Sequence, residues 1–245
     1  MDLTLPSEQL RLLENLDRYF SDFPTSCPYD LPEIAIYRMA RFSMIPEKIM
    51  HTLLAAGYRR YGDTVYTMRC PGCRKCQPIR IDPEEFRANR SQKRALRANT
   101  DLEINTTPLA ATDDNVRLLQ HFFDTRFPGR NNLARDYYAG FFLNSSQFSF
   151  EIRYSVKGRL IGVSIVDCGK TWLNAVYFFF DPAEARRSPG TFNILNLIDI
   201  CRRNRIRELY LGYMIEEVHA MCYKAAFRPH YLLKNGSWQK SDTGE

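Results

Sequence analysis

The sequence predicts an α+β fold in which an antiparallel meander is closed by a right-handed β-α-β crossover, preceded by a small cysteine-containing α+β unit. Three observations predict it. Strand-length apolar runs are divided by the two-residue turns Lys157-Gly158 and Gly169-Lys170, a strand-loop-helix-strand pattern spans 171–214, and Cys70, Cys73 and Cys76 form a tight triplet. The expected division is a cysteine-containing region at 1–82 and, at 83–245, a basic helix followed by the main domain. Composition agrees. Of 245 residues, 44% are hydrophobic and 25% charged, a globular balance that excludes disordered and collagen-like chains.

In chain order, Leu10, Leu13, Leu16 and Phe20 at helical spacing predict a short amphipathic helix ending near Asp22-Phe23-Pro24. A helix is expected over 47–56, stopped by Gly57, with short strands at 65–68 and 79–81. Over 82–99 the pattern turns helical, and Arg87, Arg90, Arg94 and Arg97 recur at steps of three, four and three, which aligns them on one face. A start at Ser91 is the alternative, leaving Arg87 and Arg90 in the approach. A helix over 113–127 ends at the break PGRNN.

The meander is expected at 148–156, Arg159–Cys168 and 171–180. After Asp181-Pro182, the loop AEARRSPGT leads into a helix over 192–204 and a strand over Glu208–Met214, which crossover handedness places parallel to the strand ending at Phe180. A helix near 219–227 and a strand at His230–Lys234 complete the chain. Meander plus crossover is the plan of GNAT-type acyltransferases.

Charge is concentrated. The chain carries a net +6, yet between Tyr58 and Arg97 eleven Lys and Arg face only four acids. A basic block beside a nearly neutral body favours a polyanionic partner, because each neutralised phosphate releases counterions. No run approaches the roughly 18 apolar residues of a membrane span, and the start MDLTLPSEQLRLL lacks a secretory leader. The expectation is a soluble, cytoplasmic protein with no membrane partner. Seven cysteines, an odd number, read as thiols or ligands rather than a disulfide framework.

Cys70, Cys73 and Cys76 have the spacing to ligate one soft metal centre. Cys27 is the expected fourth ligand, since Cys168, Cys201 and Cys222 fall in apolar elements. Zinc and an iron-sulfur cluster both suit such a set, and no diffusible cofactor is expected. Arg187 and Gly190 have the spacing of an acetyl-CoA pyrophosphate loop, but Phe192 stands where a small residue is needed. Asp181 and Glu216 follow the two parallel strands and are expected to face one mouth, where either could orient or deprotonate an incoming amine.

Several strings then align together: CPY at Cys27, GYRRYGDTVYTMRCPGCRKCQPIRI from Gly57, RSQKRALRAN from Arg90, YFFFDP from Tyr177, and YLGYMIEEVHAMCYKAAFRP from Tyr210. In these the chain resembles the bacterial aspartate/glutamate leucyltransferases, relatives of the arginyl-tRNA-protein transferases. The resemblance implies transfer of an amino acid from aminoacyl-tRNA to proteins with N-terminal Asp or Glu, creating a degradation signal, with a metal or cluster on the N-terminal cysteines. Leucine is the first donor and arginine the alternative, because Val218 and the segment FPGRNNLARDYY at 127–138 depart from the usual pattern. Within that frame Tyr213 is expected to face the oxyanion and Arg80, Arg228 or Lys224 to hold the acceptor carboxylate, with Arg87, Arg90, Lys93, Arg94 and Arg97 on tRNA phosphates. A CoA-dependent N-acetyltransferase and a non-catalytic zinc-knuckle RNA-binding module are the rivals.

Overall fold

The computed structural model describes residues 3–241. The strands are β1 (Leu3–Thr4), β2 (Ser21–Ser26), β3 (Ile34–Arg41), β4 (Arg59–Tyr61), β5 (Thr64–Met68), β6 (Gln77–Ile81), β7 (Glu103–Pro108), β8 (Ser149–Val156), β9 (Arg159–Cys168), β10 (Trp172–Phe180), β11 (Glu208–Met214), β12 (His230–Lys234) and β13 (Ser237–Ser241). The helices are α1 (Ser7–Asp17), α2 (Glu47–Ala55), α3 (Arg90–Arg97), α4 (Asp113–Arg126), α5 (Ala134–Tyr137), α6 (Pro189–Arg203) and α7 (His219–Cys222). Nine strands form one sheet in the order β1-β13-β12-β6-β11-β10-β9-β8-β7, and four form a second in the order β2-β3-β5-β4.

The meander is β8-β9-β10, antiparallel throughout, and α6 carries the crossover to β11, which runs parallel to β10. Lys157 and Gly158 both have positive φ, 49° and 76°, the geometry that two-residue hairpins with native twist require. β9 is buried over most of its length because both sheet faces are covered. On one face α3 and α6 pack Ala95, Phe192, Ile194 and Leu197 onto Ile152, Leu173 and Leu211. On the other, α4 sets Leu119 and Phe123 against Val163, Ile165 and Phe179. Beside α4 the small sheet and α2 bury Met50, Leu53 and Val65 against Trp172, Tyr210 and Trp238.

Three expectations change. The proposed boundary at 82 does not separate the sheets, because β6 sits inside the large sheet between β12 and β11, and β1 pairs with β13. Asp22-Phe23-Pro24 is not a break but part of β2, an edge strand, where proline leaves no ladder partner wanting. The basic helix starts neither at 82 nor at Ser91. Asn89 caps it, its side chain accepting from Gln92 N while the Gln92 side chain accepts from Asn89 N, each at 2.9 Å.

Candidate active site in the split between β10 and β11

β10 and β11 pair only at Trp172↔Glu208, Leu173↔Leu209 and Asn174↔Tyr210. Beyond these positions the pairing stops, and there β10 shifts register against β9 between Ala175 and Tyr177 and β11 shifts against β6 between Tyr210 and Tyr213. The side chain between them is Arg59. Its Nη2 donates to the Val176 carbonyl of β10 at 3.4 Å, and its guanidinium lies 5.3 Å over the Tyr213 ring of β11. Gly212 makes this possible: its φ is 77°, and a Cβ there would collide with the Arg59 guanidinium.

Arg59 is aimed by its neighbour. Successive strand residues point to opposite faces, and Arg60 is clamped on the other side to Asp167 of β9, with Nε–Oδ2 at 2.8 Å and Nη2–Oδ1 at 2.5 Å. That pair is almost wholly buried, 1% and 0% exposed, and Ser149 donates to Asp167 as well. Arg60 thus has a complete carboxylate partner. Among the described residues, Arg59 has none.

Lys224 completes the split. It is 9% exposed, sits in the one-turn 3-10 helix Tyr223–Ala226, and donates from Nζ to the Tyr213 carbonyl at 2.7 Å. Burial, and then the neighbouring Arg59 charge, hold its ammonium well below the ordinary lysine range. Burial also raises the phenols of Tyr29, Tyr66 and Tyr213, so they stay neutral. It pushes the Cys76 thiol up to about 12. The charge inventory of the split is therefore one guanidinium and one depressed amine, with no carboxylate.

The expected site residues distribute unevenly around this centre. Tyr213 is in it, but as a platform: its ring supports Arg59 while its hydroxyl donates to the buried Gly57 carbonyl at 3.5 Å. Asp181 is committed elsewhere. It caps the 3-10 turn Pro182–Arg187 by accepting from Ala183 N at 3.0 Å, and it pairs with Arg159 and, at 3.5 Å, with His121. Glu216 follows β11 and is exposed. The two carboxylates thus follow strands that have parted, and one already has its counter-ions. Arg80 is also committed: it pairs with Glu208, and its guanidinium lies 4.5 Å over Trp238. Arg228 is different, since its Nη1 is buried and has no hydrogen-bond partner.

On α3 the buried residues Gln92 and Ala95 fall on one side, while Arg90, Lys93, Arg94 and Arg97 are exposed on the opposite side without ion-pair partners among the described residues. Arg87 leaves the stripe because it precedes the helix and donates to the carbonyls of Glu84 and Phe86, at 2.7 and 2.8 Å. The helix is tied to the site. Gln92 Nε2 donates to the Ala226 carbonyl at 3.1 Å, two residues from Lys224.

Cys27, Cys70, Cys73 and Cys76 share one corner, near enough that each of the other three acts electrostatically on Cys76. Yet among the described residues no group of three or more His, Cys, Asp or Glu side chains converges so as to hold a metal ion. The fold gathers the four thiols in one corner without closing them on a single point. The acetyl-CoA reading also loses its anchor. Arg187 is held by Asp101 at 2.7 and 2.9 Å and by Glu184 at 2.7 Å, Phe192 is buried on the inner face of α6, and Arg59 occupies the split.

The segment Phe127 to Leu133 lines a cavity of about 450 Å³ with Gln120 and Asp124. A run of ring contacts, Phe127–Phe123–Tyr137–Phe141–Tyr61–Tyr66, joins its wall to the phenols of the split.

Both parts of the chain match models of one family: residues 25–94 the N terminus and residues 114–234 the C terminus of arginine-tRNA-protein transferases. Fold, split and family models together define an aminoacyl-tRNA-protein transferase, whose substrates are aminoacyl-tRNA and protein. The aspartate/glutamate leucyltransferase of Marinobacter nauticus is 32% identical over 229 residues, covering 92% of this chain and 96% of the relative. That of Aeromonas salmonicida is 38% identical over 200 residues, covering 78% and 81%. The chain belongs to the aspartate/glutamate leucyltransferase family. A solved tandem GNAT protein from the clavulanic acid biosynthesis pathway overlaps 85% of this chain and 65% of its own at 12% identity, with a TM-score of 0.39. Among the described residues no helix is long and apolar enough to cross a membrane.

Proposed function

We propose that the enzyme moves leucine from leucyl-tRNA to the α-amino group of proteins beginning with Asp or Glu, marking them for degradation in the cytoplasm. The observation that carries this reading is the unpaired cationic face of α3 docked beside a strand split that holds cations and no acid. Arg90, Lys93, Arg94 and Arg97 meet tRNA phosphates without reading sequence, which leaves the esterified 3′ end to enter the split. The acceptor's acidic side chain needs a cation. Of the three expected, Arg80 is neutralised by Glu208 and Lys224 is turned to a carbonyl, so Arg228, with its unsatisfied Nη1, takes that role.

Arginine as donor is the second reading, favoured by the description of both matching family models. The relatives named aspartate/glutamate leucyltransferases favour leucine. The test offers leucyl-tRNA and arginyl-tRNA separately with peptides beginning Asp, Glu or Ala. Leucine appearing only on the Asp and Glu peptides supports the proposal. Transfer of arginine alone selects the second reading, and equal transfer to the Ala peptide removes the acceptor assignment.

A further inference from the structure

We propose that Lys224 and Arg59 are the catalytic pair of the transfer, Lys224 carrying the proton between acceptor nitrogen and leaving ribose oxygen and Arg59 stabilising the tetrahedral oxyanion. This rests on the aminoacyl-tRNA reading above and deepens it.

The geometry has three parts. Arg59 and Lys224 reach the separated strands from opposite elements, β4 and the Tyr223–Ala226 turn, and both use main-chain carbonyls as partners, Val176 and Tyr213. No carboxylate of β4, β5, β6, β10, β11 or the turn pairs with either. The other titratable groups acting on Arg59, namely Tyr29, Tyr66, Tyr213 and Cys76, are all held in their neutral protonated forms by burial. An arginine cannot shed its charge, so the unfavourable second cation in this acid-free split is relieved by the lysine losing its proton.

That division of labour matches the reaction. The acceptor's α-amine attacks the ester carbonyl carbon. As the N–C bond forms, the neutral Lys224 amine takes a proton from that nitrogen, and the C=O electron pair moves onto the oxygen facing Arg59. Collapse restores the C=O bond and breaks the ester C–O bond, and the Lys224 ammonium returns its proton to the departing ribose oxygen. The products are an amide and a free ribose hydroxyl, with Lys224 neutral again. An acceptor that arrives as an ammonium first gives one proton to solvent. Lys224 thus needs its depressed basicity to act in both directions near neutral pH, and Arg59 needs its permanent charge. An amine so tuned would serve poorly as the fixed cation for the acceptor carboxylate.

The test is single-turnover transfer from pre-bound aminoacyl-tRNA by the Lys224→Arg and Lys224→Met proteins, with tRNA affinity measured in parallel. Lys224→Arg can still donate to Tyr213 O but is permanently charged and has no neutral form. It is expected to lower the transfer rate on the order of 100-fold or more while tRNA affinity stays within about twofold. Transfer within about threefold of wild type would overturn the proposal. Should both variants lose tRNA binding through misfolding, NMR of the Lys224 side chain in the wild-type protein decides. A resonance already that of the neutral amine by about pH 9 supports the proposal, and a fully protonated one there refutes it, since an ordinary lysine titrates near ~10.4. If wild type discharges neither aminoacyl-tRNA onto any peptide, the function fails while the NMR result stands by itself.

Discussion

The two ends of β11 hold similar side chains in opposite balance. At its start Glu208 is in contact with both His51 and Arg80, and Arg80 lies over Trp238, so charge meets charge and the cluster is complete. Past the middle of the strand, at Gly212 and Tyr213, Arg59 and Lys224 approach with no carboxylate at all. A folded chain gains nothing from leaving a guanidinium half-buried and a lysine buried with no counter-ion. The balanced end reads as architecture and the unbalanced end as a place prepared for something that brings electrons. The strand itself enforces the difference, since glycine at 212 removes the side chain that would otherwise stand where the Arg59 guanidinium lies.

Changes at the two ends should therefore fail differently. Gly212→Ala strikes the unbalanced end hardest. A left-handed non-glycine residue costs about 1–3 kcal/mol, and displacing Arg59 from the split should lower transfer on the order of 100-fold. Urea unfolding together with single-turnover transfer checks both, and wild-type transfer would show that Arg59 need not occupy the split. Glu208→Gln strikes the balanced end. Leaving Arg80 without its counter-ion should cost about 1–3 kcal/mol, with transfer by the folded protein unchanged.

The second substitution has a pH signature. Burial pushes the Glu208 carboxyl up, but the His51 hydrogen bond and the Arg80 charge overcome this and hold it below its ordinary 4.5. A group depressed on folding contributes in full above its unfolded value and loses that contribution as pH falls through the folded one. The stability gap between wild type and Glu208→Gln should be widest above pH 4.5 and narrow as pH falls through the folded value below it. The smallest effect belongs to the tRNA face. Arg94→Ala should reduce the slope of log affinity against log salt by about 1 and leave transfer at saturating tRNA untouched. An unaltered slope would remove Arg94 from the phosphate contacts.

Local patterns in the sequence delivered the meander and crossover nearly intact. β9, β11 and β12 carry the expected bounds, because two-residue turns and apolar alternation are read within a few residues. Pairings between distant segments were not legible in the same way. β6 belongs with β11 and β12, which lie well over a hundred residues further on, so no local signal moves it out of the N-terminal region. The start of α3 was legible in principle: Asn89 and Gln92 have the spacing of a reciprocal cap, two residues ahead of the cap that Ser91 offers.

The candidate site was harder. Arg59 and Arg60 are neighbours of identical type, and which one enters the split depends on Asp167, far along the chain on β9. By residue type Lys224 reads as a cation for the acceptor, and its burial against Tyr213 gives it another character. Asp181 and Arg80 were good candidates by chemistry and position, but each is satisfied by a partner that only the fold supplies, Arg159 for one and Glu208 for the other.

The most direct measurement is single-turnover aminoacyl transfer by Arg59→Met, alongside its affinity for aminoacyl-tRNA and its unfolding midpoint. The unbalanced split predicts a folded protein that binds tRNA as wild type does and transfers on the order of 100-fold more slowly. A folded Arg59→Met enzyme that transfers at the wild-type rate would contradict it and place the chemistry outside the split.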